Sequence, residues 1–129
     1  MNTKVPFVDL HAQYQTIKDE IDFVIADVIK NSSFVRGSYV DKFEQMFADM
    51  MERKHCVSCA NGTDSLYIAM VALGVKSGDE VIAPAHSWIS TTETITQAGA
   101  KVVLCDTDED TSTIHPIGIE AKITPNTVG

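Results

Sequence analysis

The residues best suited to chemistry lie in the run Cys56-Val57-Ser58-Cys59-Ala60-Asn61-Gly62-Thr63-Asp64-Ser65-Leu66, where an apolar stretch passes through a glycine into a helical pattern. Glycine permits a sharp turn and lets a ligand approach the backbone closely. If a helix starts there, the N–H groups of Thr63 and Asp64 stand open at its N-terminus, where the macrodipole favours an anion such as a phosphate. The same residues also make a plain helix start, with Asn61 or Thr63 as N-cap and Gly62 as a turn residue. No Gly-Lys-Ser/Thr follows, so this is not a P-loop, and the G-x-G-x-x-G of dinucleotide folds is absent.

The only tryptophan, Trp88, sits in Pro84-Ala85-His86-Ser87-Trp88, just after a second apolar run ending in proline. In an open α/β sheet, ligands gather at the carboxyl ends of the strands. Trp88 and the Asn61–Asp64 turn follow successive strand ends, so an indole there could cover a planar ring by stacking. The alternative is a partly buried core aromatic.

Three other groupings carry weaker chemistry. Cys56-Val57-Ser58-Cys59 has C-x-x-C spacing, but on a strand residues three apart face opposite ways, and no second ligand pair at zinc spacing accompanies it. No metal site is expected. Asp106, Asp108 and Asp110 open like a calcium loop, yet Thr111 stands where that loop needs glycine and Ile117 where it needs glutamate, leaving a solvated acidic turn. Asp106, at a strand end, could still face the crevice. Arg36 follows a polar break and suits phosphate recognition, or is a surface arginine in a turn.

These residues must be positioned by regular elements. Ile17, Ile21, Val24 and Val28 recur at helical spacing and predict an amphipathic helix over 14–30, and Val40, Phe43, Phe47 and Met50 predict another after Gly37. From Lys54 the texture becomes strand at 55–60, helix at 63–73, strand at 80–84, helix at 91–98 and strand at 101–106. Gly74, Gly78 and Gly99 punctuate the turns. Crossovers this short imply parallel strands, and a further helix is expected over 116–123. The expectation is one partial α/β domain over 1–129, with an amino-terminal helical segment at 1–53 and β/α units at 54–129. Three such strands alone leave unpaired edges and an open face.

With 129 residues, 44% hydrophobic and 22% charged, the chain can build a core and is too apolar for disorder. Ten Lys and Arg against eighteen Asp and Glu give a net charge of −8, and no basic run offers a path for nucleic acid. No tract is long enough to span a membrane. The start, Met1-Asn2-Thr3-Lys4-Val5-Pro6-Phe7, has no apolar signal region, and Cys56, Cys59 and Cys105 suit a reducing compartment, so a cytoplasmic protein is expected.

Seven ordered blocks together carry a resemblance. Val5-Pro6-Phe7-Val8-Asp9-Leu10, Phe34-Val35-Arg36-Gly37 with Val40 and Phe43-Glu44, Asn61-Gly62-Thr63-Asp64-Ser65-Leu66, Leu73-Gly74 with Gly78-Asp79-Glu80-Val81-Ile82, Pro84-Ala85 with Trp88, Ala98-Gly99-Ala100, and Asp106-Thr107-Asp108 resemble the DegT/StrS family of sugar-nucleotide aminotransferases. The resemblance implies the amino-terminal portion of a fold type I aminotransferase large domain, with helices on a mainly parallel, incomplete sheet. It also implies a pyridoxal 5′-phosphate cofactor and a homodimer with the active site between subunits. The implied reaction moves an amino group from glutamate or glutamine to a nucleotide-linked keto sugar, in amino-sugar, lipopolysaccharide or polysaccharide biosynthesis. By this likeness Gly62, Thr63 and Asp64 hold the cofactor phosphate, Trp88 stacks on its ring, and Arg36 contacts the sugar nucleotide.

The family's turn commonly reads Ser-Gly-Thr, and Asn61-Gly62-Thr63 keeps its glycine. A common Asn-Ile-Asp is here Thr113-Ile114-His115, which is given no role. The family's Schiff-base lysine falls beyond the point matching Gly129, none of the eight lysines here matches it, and the small domain is absent. The chain alone is therefore expected to be inactive, with no catalytic residue of its own. A sugar dehydratase of the same family and a non-catalytic truncated fragment are the alternatives.

Overall fold

A computed structural model describes residues 5–129. Residues 1–4, part of the stretch read above for a signal, lie outside the described residues. The chain forms two compact units, one reaching Ser58 and the other running Cys59–Gly129.

The first unit is helical. In place of one helix over 14–30 there are two, α1 (Leu10–Thr16) and α2 (Lys18–Lys30). The break falls at Ile17, whose φ of −130° and ψ of 17° leave the helical basin. Asp9 caps α1 by accepting the Ala12 N–H at 2.9 Å, so the first helix has its own start signal. Helix α3 (Ser38–Met50) matches the second apolar stripe, and Phe43 stacks on Phe47 along it. The Tyr39 hydroxyl donates to Asp27 of α2 at 3.0 Å, tying α3 to α2.

No strand forms at 55–60, which corrects the expectation of one there. A strand exists only where a neighbouring backbone shares its ladder, and none of the described residues offers 55–60 one. The N–H of Ser58 goes to a side chain instead.

In the second unit, α4 (Gly62–Ala72) leads to β1 (Glu80–Pro84), α5 (Ile89–Gln97) and β2 (Lys101–Cys105), ending with the short α6 (Pro116–Glu120). The two strands are parallel, in register from Glu80 opposite Lys101 to Pro84 opposite Cys105, as the short crossover predicted. The other edge of β1 is also occupied. Glu80 N–H donates to Asn126 O, Val128 N–H to Glu80 O, and Ile82 N–H to Gly129 O, so the last residues add a parallel neighbour that periodicity did not reveal.

Val81 and Ala83 project from one face of the sheet and form the core with Ile95 of α5 and Ala100, flanked by Met70, Val75 and Val102. Cys105, fully buried, points to the opposite face. There it meets α6 so closely that a Cβ on Gly118 would lie 2.8 Å from its sulfur. Helix α5 thus packs on one face of a parallel sheet that remains incomplete, and α6 meets the other face at Cys105.

Helices α4 and α5 end alike. Gly74 N–H donates to Val71 O and Val75 N–H to Met70 O; Gly99 N–H donates to Thr96 O and Ala100 N–H to Ile95 O. Both glycines carry positive φ, 79° and 91°, as this closing motif requires. The second closure sets Ala100 beside Ile95 in the core. Among the described residues no helix is long and apolar enough to cross a membrane.

Candidate functional site

The site builds on the start of α4. Asn61 is its N-cap: its side-chain oxygen accepts the Asp64 N–H at 3.0 Å while its amide donates to the Asp64 carboxylate at 3.1 Å. This corrects the expectation that the Asp64 N–H stands open, because the short polar side chain three residues back reaches it first. The N–H groups of Gly62 and Thr63 make no hydrogen bond to the described residues, as first-turn donors do when no cap reaches them. A Cβ placed on Gly62 would meet nothing within 4 Å, so the backbone is approachable there.

The start of α5 meets the start of α4. Thr63 Oγ1 lies 2.7 Å from Ser90 Oγ, and Ser90 is buried, 7% exposed. Trp88 immediately precedes α5 with extended backbone, φ −67° and ψ 145°. Its side chain is 78% exposed, which overturns the buried-core alternative: residues 85–89 are all exposed, and the core is closed from α5 by Ile95 and Thr94 instead. The turn and the tryptophan thus stand at adjoining helix starts, although only Trp88 follows a strand, since 55–60 forms none.

Asp106 also follows a strand, but its carboxylate accepts the neighbouring Thr107 N–H at 2.9 Å. The acidic turn beyond it is ordered by Asp108. Its Oδ1 accepts from Thr111 N–H, the Thr111 hydroxyl and Asp110 N–H, and these donors, the Thr111 N–H foremost, hold this carboxyl below its ordinary range. An Asp two and three residues before polar N–H groups was the available signal.

In the other unit, Arg36 has a left-handed backbone, φ 59°, followed by Gly37 at φ 116°. Its guanidinium lies 3.5 Å from Glu44, and 70% of its side chain is exposed. Glu44 accepts both the N–H and the hydroxyl of Ser58, at 2.8 and 2.7 Å, and these donors push its carboxyl below the usual glutamate range. Sequence reading missed the contacts of Glu44 and Ser90 because their partners, Ser58 and Thr63, lie 14 and 27 residues away.

Cys56 is half-buried, Cys59 exposed and Cys105 buried, all as free thiols. Without a strand at 55–60, the opposite-face reading of Cys56 and Cys59 lapses. Among the described residues no three His, Cys, Asp or Glu side chains gather as metal ligands.

Residues 15–129 match the model of the DegT/DnrJ/EryC1/StrS aminotransferase family. The UDP-2-acetamido-2-deoxy-3-oxo-D-glucuronate aminotransferase of Pseudomonas aeruginosa is 44% identical over 123 residues, covering 95% of this chain and 34% of that protein. The dTDP-3-amino-3,4,6-trideoxy-alpha-D-glucose transaminase of Streptomyces venezuelae is 37% identical, over 96% of this chain and 33% of that protein. The crystal structure of NtdA from Bacillus subtilis, with bound cofactor PMP, superposes with a TM-score of 0.91 at 30% identity, over 98% of this chain and 29% of that one. The chain spans about a third of the length of the relatives it matches.

Proposed function

The chain belongs to the DegT/DnrJ/EryC1/StrS aminotransferase family, and from that premise we propose that it forms the amino-terminal third of a pyridoxal-phosphate-dependent sugar-nucleotide aminotransferase. The named relatives support this reading, since two of them are transaminases whose names specify UDP- and dTDP-linked sugars. The observation that carries it to particular residues is the junction of two helix starts at Thr63 and Ser90, with an exposed indole at its edge.

The residues present fit the cofactor. A phosphate is an acceptor-only anion, and the N–H groups of Gly62 and Thr63, the Thr63 hydroxyl and the α4 dipole are all donors or positive. The Asp64 N–H would join them by exchanging its Asn61 cap for a phosphate oxygen. The exposed face of Trp88 would stack on the flat ring and keep water from it. Pyridoxal phosphate, when bound, supplies the electron sink that aminotransfer needs. Arg36 keeps donors beyond its Glu44 pairing and would contact a sugar-nucleotide phosphate. The lysine that binds the cofactor covalently would come from sequence after Gly129. Glutamate or glutamine as donor, a homodimer and a cytoplasmic setting complete the proposal.

The test is an assay of the full-length protein with a nucleotide-linked keto sugar and glutamate or glutamine. Amino transfer is expected from the full-length protein and none from residues 1–129 alone. A continuation without the family's lysine would point to the dehydratase chemistry instead. Gly62→Val should weaken pyridoxal phosphate binding about tenfold or more, by placing a side chain where the phosphate approaches.

A further inference from the structure

Ser90 stands apart from the other polar groups near the turn. It is buried, it belongs to α5 rather than to α4, and its hydroxyl lies 2.7 Å from Thr63 Oγ1. Its backbone carbonyl is used separately, accepting the Thr94 hydroxyl at 2.8 Å. The side-chain oxygen of Ser90 has Thr63 as its hydrogen-bond partner among the described residues.

Two hydroxyls that share one hydrogen bond hold two protons, and only one of those protons lies between them. Either oxygen can be the donor when nothing else competes. An anion at the α4 start removes that freedom. It accepts only, so the Thr63 proton turns to it, and Thr63 Oγ1 is then left as the acceptor for the Ser90 proton. The resulting chain runs from Ser90 O–H to Thr63 O–H to the anion, and each bond in such a chain polarises the next. Burial of Ser90, at 7% exposure, strengthens the effect by leaving little room for water to compete for its proton.

We propose that Ser90 is a positioning residue for the cofactor phosphate: it fixes the rotamer of Thr63 and directs the Thr63 hydroxyl proton outward from the α4 start. The proposal rests on the assignment of Gly62 and Thr63 to the phosphate. It adds that α5 sets both elements of the site at once, the indole through Trp88 and the phosphate donor through Ser90, two residues further on.

The experiment measures cofactor affinity of the full-length protein by absorbance titration, with pyridoxal phosphate and with pyridoxal, which lacks the phosphate. Ser90→Ala should weaken pyridoxal phosphate about fivefold, the effect of one neutral hydrogen bond, and leave pyridoxal unchanged. Ser90→Thr, which keeps the hydroxyl, should restore the affinity. In a Thr63→Ala background, Ser90→Ala should have no further effect on pyridoxal phosphate. Equal losses for both ligands would overturn the proposal by showing that Ser90 only packs α5. An undiminished Ser90→Ala effect without the Thr63 hydroxyl would overturn it too. If Thr63→Ala weakens pyridoxal phosphate and Ser90→Ala does not, the Ser90 role falls and the phosphate turn stands; if neither changes affinity, both fall.

Discussion

The two units of this chain carry similar amounts of apolar sequence and use it differently. In the helical unit Ala48 is the one buried residue among those described, and Phe34, Phe43, Met46 and Met50 lie exposed. In the β/α unit Val81, Ala83, Ile95, Ala100 and Cys105 are all removed from water. The physical difference is where each element finds its hydrogen bonds. A helix satisfies its own backbone and can form with its stripe uncovered, whereas strands exist only by pairing, and pairing brings the covering helices with it. Within this chain the buried residues are therefore concentrated in the sheet-bearing unit, and deletions should be felt there first.

That contrast can be broken at several points. Ile95→Ala, at a residue 1% exposed, should cost about 2–5 kcal/mol in urea denaturation of the chain, and Phe43→Ala on α3 about 0.5 kcal/mol or less. Equal losses would erase the distinction between the units. Gly118→Ala forces a carbon against the Cys105 sulfur and should cost about 1–3 kcal/mol. Because the clash is with one atom, combining it with Cys105→Ala should cost less than the sum of the single variants.

Helix α4 offers a finer cut. Asn61→Ala removes the cap on Asp64 N–H and should cost about 1 kcal/mol, read from the same denaturation curves.

The smallest effect concerns acid. The Lys101 ammonium at 2.8 Å, then the Thr124 hydroxyl at 2.6 Å, hold the Glu80 carboxyl below the ordinary glutamate range. A carboxyl lowered in the folded state contributes stability above its unfolded value, and that contribution is lost as pH falls through the folded one. Thermal melts should therefore show wild type and Glu80→Gln converging as the pH drops below the usual glutamate range, with wild type ahead near neutrality. A gap that widened in acid would contradict the ion-pair origin.

Much of this was open to sequence reading for identifiable reasons. β1 begins at Glu80 and ends at Pro84, as its apolar run and proline suggested, and the Schellman glycines Gly74 and Gly99 stand where punctuation placed them. The position of Trp88 after a strand was legible, although spacing alone also allowed burial, and in the fold it is exposed. Asp64 was misjudged in one respect: the rule that exposes first-turn N–H groups competes with the rule that Asn caps them, and the cap won. Ile17 ended α1 although its apolar spacing continued the stripe, because the Asp9 cap had started a separate helix.

What the sequence alone determined is local: helix periods, the cap and turn residues, the parallel connection of β1 to β2, and the ordered blocks that mark the family. Tertiary structure decided everything that needs a distant partner. Residues 55–60 have strand composition but no neighbour among the described residues, and form no strand; residues 126–129 have little strand signal but lie along β1, and pair. Ser90 met Thr63 for the same reason. Hydrogen bonds between residues remote in sequence depend on where two elements come to lie, and no periodicity along one element records that.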